Sequence, residues 1–166
     1  VESFSSFAGN MMLALIQHPD QAAWLTGHLE LATQAVEELL RYDTPTQRFH
    51  RAAAKDFELH GQQLRQGQSI LVMYGSANRD ERVWKDADRF DIRRDTQGQI
   101  GFGDGIHRCL GAPLVHQVAP TALKVLLGEF PVLSLAGQPQ WQTDPYLRSV
   151  ANLPVAWRIL GPLSRL

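Results

Sequence analysis

The chain has one cysteine, and it stands inside Phe102-Gly103-Asp104-Gly105-Ile106-His107-Arg108-Cys109-Leu110-Gly111. The apolar run from Leu110 to Leu127 reads as a helix, which places Cys109 where that helix should begin. Unpaired backbone N–H groups at a helix start carry partial positive charge and favour a thiolate over a thiol. His107 and Arg108 add donors and positive charge beside it. Gly103 and Gly105 allow a tight turn in front of the sulfur, with backbone angles other residues avoid. Three chemistries stay open for such a cysteine. A lone Cys is often a small buried hydrophobe. A catalytic Cys–His pair is possible, although no protease signature surrounds this one. A zinc centre needs about four ligands, and His107-x-Cys109 without a second cysteine does not match the usual spacings.

The pattern Phe-Gly-x-Gly-x-His-x-Cys-x-Gly fixes six positions, and it resembles the cysteine-ligand loop of the cytochrome P-450s, the haem-thiolate monooxygenases. The resemblance implies that the Cys109 thiolate is the axial ligand of haem iron, a ligand that pushes electron density onto the metal and favours O–O cleavage. It makes Phe102, Gly103, His107 and Gly111 parts of the cofactor loop. His107 would hold a haem propionate, and Gly111, lacking a side chain, would let the helix approach the flat macrocycle. Arg108, on the exposed side, would meet the electron donor.

The elements that must position this loop come from both sides of it. Phe7 to Gln17 has helical spacing and ends at His18-Pro19, where proline stops the helix. Glu2 and Ser3 lie just before it. Read alone, they form a solvated terminus. The resemblance, counted back from His18-Pro19-Asp20-Gln21, makes them the acid–alcohol pair that relays protons over the haem. Ser stands where the family more often has Thr. The next helix is expected from Pro19 to about Leu31, and another from Thr33 to Tyr42. The second contains Glu38-Leu39-Leu40-Arg41, whose charges share a helix face at i and i+3. By itself that is an ordinary solvated ion pair. The resemblance makes Glu38 and Arg41 two members of a buried structural triad completed by Arg89.

Arg48 to Ala53 reads as a strand, followed by a hairpin over Phe57–His60 and Gln62–Leu64 and by the strongest strand, Ser69 to Tyr74. By resemblance the Thr44–His50 segment lines a substrate pocket, and Arg51 contacts a haem propionate through its planar fork. Ala77-Asn78-Arg79-Asp80 matches a stretch typical of bacterial members, and an irregular charged meander, Glu81 to Gln99, leads to the cysteine loop. Ala87 replaces a proline common in the family, which loosens the expected turn. His116 and Val118 replace an Arg and a Glu in the helix after Cys109. His116 reads as a surface residue rather than a metal ligand. Pro120 should remove a helix hydrogen bond and kink that helix. Tyr146 to Pro154 matches a second pocket-lining turn, with Val150 and Ala151 as substrate contacts, and Trp157 and Ile159 resemble a closing strand.

Composition agrees with a globular protein: 44% hydrophobic and 20% charged residues. A net charge of −1 implies no bulk field for nucleic acid or anionic membrane. No apolar run approaches the ~20 residues of a membrane span. A single cysteine forms no internal disulfide and suits a reducing, cytoplasmic location.

The expected fold is mainly α with a small β section: residues 1–160 as the C-terminal haem-binding part of a truncated cytochrome P-450 domain, and 161–166 as a tail. The implied activity is insertion of one oxygen atom of O2 into a small apolar substrate, with electrons from a ferredoxin or flavodoxin and its reductase. The other reading is a truncated haem-binding or interaction module without turnover.

Overall fold

The structure, a computed structural model, describes residues 2–158. Ile159 and the tail expected from Gly161 to Leu166 lie outside the described residues. Among the described residues five α-helices are present: α1 Glu2–Gln17, α2 Pro19–Thr26, α3 Ala32–Tyr42, the short α4 Tyr74–Ala77 and α5 Ala112–Glu129. Eight strands pair into four two-stranded antiparallel sheets: β1 Arg48–Ala52 with β4 Ser69–Met73, β2 Phe57–Leu59 with β3 Gln62–Leu64, β5 Val132–Leu135 with β8 Val155–Arg158, and β6 Gln140–Trp141 with β7 Val150–Asn152. The observed fold is thus mainly α with a small β section.

The core is a helix–helix core. In α3 the apolar residues Ala32, Ala35, Val36, Leu39 and Leu40 recur at helical spacing and are all buried. They join Phe7, Met11 and Leu15 of α1 and Leu123 and Leu127 of α5 in one cluster. Ala32, Ala35 and Ala119 expose none of their surface. Small side chains let helix backbones approach closely, which suits the packing of α3 against α5. Truncating a buried leucine here, such as Leu39 or Leu123, should cost about 2–5 kcal/mol.

Several element boundaries differ from expectation. The helix expected from Pro19 to Leu31 ends at Thr26, where Gly27 caps it, and a single 3-10 turn at Leu29–Leu31 leads into α3. The expected strand ending at Tyr74 stops at Met73, because Tyr74 starts α4. The helix expected from Leu110 starts at Ala112, with Gly111 as its cap and Pro113 in its first turn. Cys109 therefore sits in the loop ahead of the helix. Its N–H is taken by the Phe102 carbonyl at 2.9 Å, which folds the loop back on itself instead of letting it enter the helix.

α5 runs unbroken across Pro120, which is buried next to Ala119. Core packing there outweighs one lost helix hydrogen bond. Ala87 does not loosen its turn: it is buried, and its carbonyl accepts Arg41 Nη1 at 2.9 Å.

Candidate functional site

The cysteine loop is held from beneath by hydrogen bonds at successive residues. Ile100 N–H donates to Asn78 Oδ1 at 2.9 Å, and Gly101 N–H to Gln99 Oε1 at 2.6 Å. Gly103 N–H reaches the Ile100 carbonyl at 2.8 Å, and Arg108 N–H the Gly105 carbonyl at 3.1 Å. Gly103 and Gly105 have φ of +69° and +67°, a region that penalises any other residue type. The result is an exposed Cys109 thiol, presented just ahead of the first turn of α5.

That thiol faces a cavity of about 1080 Å³. Gly101, Phe102, Gly103, His107, Cys109 and Gly111 form one side of it. Leu114, Val115 and Val118 of α5 continue that side, and Phe4 and Phe7 of α1 line another wall. Arg51 is also in the lining. Its Nη1 donates to the His50 carbonyl at 2.8 Å and its Nη2 to Tyr74 Oη at 3.2 Å, so its guanidinium is oriented in advance. Glu2 and Ser3, in the first turn of α1, line the same cavity. The structure thus brings Glu2, Ser3, Arg51, Phe102, Gly103, His107, Cys109 and Gly111 around one space.

The two pocket-lining segments are joined to each other. Gln47 N–H donates to the Tyr146 carbonyl and Arg148 N–H to the Pro45 carbonyl, both at 2.8 Å. Arg48 Nε donates to the Pro145 carbonyl at 2.6 Å. From the first segment Pro45, Thr46 and Phe49 reach the cavity. From the second, Tyr146 to Pro154, it is Tyr146 and Leu147, not Val150 and Ala151, and Asp144 just ahead of that segment joins them. Val150 instead packs toward Gly9 of α1, where an added Cβ would lie 3.7 Å from its own Cβ, and Ala151 is exposed. Asp43, at the end of α3, anchors the second segment by accepting Arg148 Nε at 2.7 Å. Burial pushes the Asp43 carboxyl above its usual range, and Arg148 partly offsets this.

The structural cluster beneath the site departs from expectation at one member. Glu38 and Arg41 meet and are fully buried. The second guanidinium at Glu38 belongs to Arg94, whose Nε lies 3.4 Å from Oε1 with the side chain 13% exposed. Arg89 is 60% exposed and sits 3.7 Å from Asp91. Its contribution is its backbone carbonyl, which accepts Arg41 Nη2 at 3.2 Å and Arg94 Nη2 at 3.0 Å. Arg89 and Arg94 lie in the same irregular meander, so spacing alone does not separate them.

His116 is not a free surface residue. Its Nε2 lies 2.9 Å from Glu37 Oε1, and its ring meets Phe102 edge-on at 5.1 Å. Glu37 Oε2 accepts Gln99 Nε2 at 2.9 Å, which links α3 and α5 to the irregular entry of the cysteine loop. Arg108 is exposed and lines a second, smaller cavity on the loop's other side, together with Asp104 and Glu37. Sequence reasoning did not single out Tyr74, Asp144 or Glu37. Tyr74 was hidden in an apparent strand, and nothing in the local sequence marks Asp144 or Glu37.

The donor set fits a metal carried in a macrocycle. Among the described residues no group of three or more His, Cys, Asp or Glu side chains could hold an ion by itself. Cys109 offers one soft sulfur donor, so the remaining ligands of an iron must come from the cofactor. Gly111 adjoins the sulfur: a Cβ built on it would meet Cys109 Sγ at 3.7 Å, an ordinary van der Waals contact. Arg51 and His107 supply donors for carboxylates at the cavity wall. The walls between are largely apolar, as a flat hydrophobic ring requires. Among the described residues no helix is long and apolar enough to cross a membrane.

Comparison with known proteins agrees with this geometry. The family model described as Cytochrome P450 matches residues 14–156. The chain is 39% identical to cytochrome P450 monooxygenase PikC of Streptomyces venezuelae over 161 residues, which is 95% of this chain and 39% of that protein. It is 40% identical to 6-deoxyerythronolide B hydroxylase of Saccharopolyspora erythraea, over 93% of this chain and 39% of that one. Among solved structures it is similar to cytochrome P450 CYP109Q5 from Chondromyces apiculatus, with a TM-score of 0.90 and 38% identity over 95% of this chain and 41% of that one. P450BioI, crystallised with an acyl carrier protein bearing hexadec-9Z-enoic acid, gives a TM-score of 0.89 at 37% identity, over 92% of this chain and 40% of that one. The chain therefore spans about two fifths of the length of the relatives it matches.

Proposed function

Because this chain belongs to the cytochrome P450 family, whose members bind haem, we propose that it forms the haem-binding section of a haem-thiolate monooxygenase. The observation that carries the reading is the convergence of the Cys109 thiol, Arg51 and His107 on one apolar-walled cavity. Haem supplies the O2 chemistry: one oxygen atom enters a C–H bond of the substrate, and the other leaves as water with two electrons and two protons.

This chain's residues bind, orient and protonate. Cys109 would ligate the iron through its thiolate sulfur. Arg51, braced by Tyr74, and His107 hold the two propionates. Phe102 flanks the ligand loop, Gly103 supplies the positive φ its turn needs, and Gly111, without a side chain, would let the helix approach the flat macrocycle. Glu2 and Ser3 form the acid–alcohol pair that passes protons into the cavity, since a relay group must stand within hydrogen-bond reach of the atom it serves. Phe4 and Phe7 of the other wall select an apolar substrate and exclude water, while the α5 side chains on the Cys109 side would pack against the macrocycle. The electrons come from a ferredoxin or flavodoxin with its reductase, which docks on the side of the loop where Arg108 is exposed.

The test is the absorption spectrum of the reduced, CO-bound, haem-loaded protein. A red-shifted Soret band of the thiolate type is expected. Cys109→Ala should abolish it while leaving the far-ultraviolet circular dichroism unchanged. Persistence of the band in the alanine variant would refute the assignment.

A further inference from the structure

The cavity's charge after cofactor binding points to the kind of molecule it takes, an argument that rests on the haem reading above. Arg51 and His107, the lining donors suited to anions, are then committed to propionates. Among the described residues, the lining side chains left that are charged at neutral pH are the carboxylates of Glu2 and Asp144. Glu2 belongs to the proton path. Asp144 has no assigned role.

Asp144 is held as a carboxylate and held in place. Its Oδ1 accepts the N–H groups of Leu147 and Tyr146, each at 2.7 Å. These two bonds, Leu147's first, keep the carboxyl below its usual range, and no basic side chain contributes to the shift. Arg48 bonds the neighbouring Pro145 carbonyl instead. The turn itself is pinned to the Pro45–Gln47 segment through the Tyr146 carbonyl and Arg148 N–H. Aromatic rings line the cavity with it. Tyr146 stacks on Phe49 at 6.5 Å between centroids with 22° between planes, and Phe49 meets Tyr74 edge-on at 6.3 Å. Phe49 and Tyr146 are 48% and 38% exposed, so their rings are open to a ligand. A fixed anion beside aromatic rings is the chemistry that recognises alkylated ammonium groups.

We infer that Asp144, with Phe49 and Tyr146, forms a subsite for the cationic ammonium end of an otherwise apolar substrate. The apolar body then lies along Phe4 and Phe7, on the wall away from Cys109. The same charge disfavours molecules that carry a carboxylate, such as free fatty acids.

The test uses decyltrimethylammonium below its micelle concentration, with decan-1-ol and decanoate as neutral and anionic counterparts. A quaternary nitrogen has no lone pair, so it cannot ligate iron and mimic substrate binding. Binding to haem-loaded protein is read by calorimetry. The ammonium probe should bind more tightly than decanoate, and added salt should narrow the difference. Asp144→Asn keeps an oxygen for the two N–H groups and removes the charge. It should weaken ammonium binding by about fivefold, the effect expected of a partly exposed ion pair, and leave decan-1-ol unchanged. Equal ammonium affinity in the two proteins would overturn the subsite. The CO spectrum, taken on the same samples, reports on the haem ligand separately. Loss of its thiolate band with the ammonium preference intact would count against Cys109 and leave Asp144 standing.

Discussion

Glu38 and Arg41 meet as a fork inside the protein, with Arg41 Nε 2.7 Å from Glu38 Oε2, Nη2 3.0 Å from Oε1, and neither side chain exposed to solvent. Every other N–H of the guanidinium is also used. Nη1 donates to the carbonyls of Asn78 and Ala87 at 2.8 and 2.9 Å, and Nη2 reaches the Arg89 carbonyl. Glu38 Oε1 in turn accepts Asp91 N–H at 2.9 Å. One buried pair thereby fastens the irregular meander that leads to the cysteine loop. Its job is to give shape to a segment with no helix or strand of its own.

Glu38→Ala should therefore do more than remove an ion pair. It strands a buried guanidinium, at a cost of about 3–5 kcal/mol. Soluble yield and haem content should fall together, and chemical denaturation should show the lost stability. An unchanged unfolding midpoint with full haem occupancy would reduce the pair to an ordinary bridge.

The exchange of Arg89 for Arg94 gives a sharper comparison. Arg94→Ala removes a 13%-exposed guanidinium from Glu38 and three backbone carbonyls, those of Lys85, Asp86 and Arg89. Arg89→Ala keeps the backbone carbonyl and removes a side chain that is 60% exposed. Melting temperatures should fall clearly for Arg94→Ala, by about 1–3 kcal/mol of stability, and barely for Arg89→Ala. The reverse order would restore Arg89 to the cluster.

Tyr74→Phe removes the hydroxyl that accepts Arg51 Nη2 and leaves the ring in place. Haem transfer to apomyoglobin should then proceed faster than from the unaltered protein, and faster still from Arg51→Ala. Identical transfer rates in all three would show that Arg51 does not hold the cofactor.

Gly101 lines the cavity at the root of the cysteine loop. An added Cβ there would stand 3.2 Å from the Leu40 backbone carbonyl and 3.1 Å from Thr44 Oγ1. The α3 backbone cannot yield as a flexible side chain can. Gly101→Ala should cost about 1–3 kcal/mol, with a loss of haem affinity that Gly128→Ala, with no neighbour near its added Cβ and an ordinary helical backbone, does not share.

Acid titration has a local reporter in Asp80. Hydrogen bonds from the Arg82 side chain, then from its backbone N–H, lower this exposed carboxyl to about 2. A depressed acid stabilises the fold above the unfolded-state value of 3.8, and that contribution is lost as pH falls from there through about 2. Followed by carboxyl-carbon NMR, Asp80 in Arg82→Ala should titrate closer to 3.8. A midpoint that stays near 2 would place the cause elsewhere.

The sequence by itself determined the features that depend on local chemistry. The glycines and the cysteine of residues 102–111 specify a turn that presents a thiol, because glycine permits the positive φ values at 103 and 105 and a sulfur is a sulfur wherever the chain takes it. The apolar spacing of α3 specified a helix and its buried face, because periodicity is a property of neighbours in sequence. Tertiary structure decided what depends on distant segments meeting. Whether Arg89 or Arg94 reaches Glu38 is set by how the meander folds over α3, and both residues carry the same charge within the same meander. Whether Val150 or Tyr146 faces the cavity is set by hydrogen bonds from the Pro45–Gln47 segment, about a hundred residues earlier. The start of α5 was decided the same way: the Phe102 carbonyl captures the Cys109 N–H and keeps the sulfur in a loop, a choice no helix propensity of Leu110 or Gly111 could foretell.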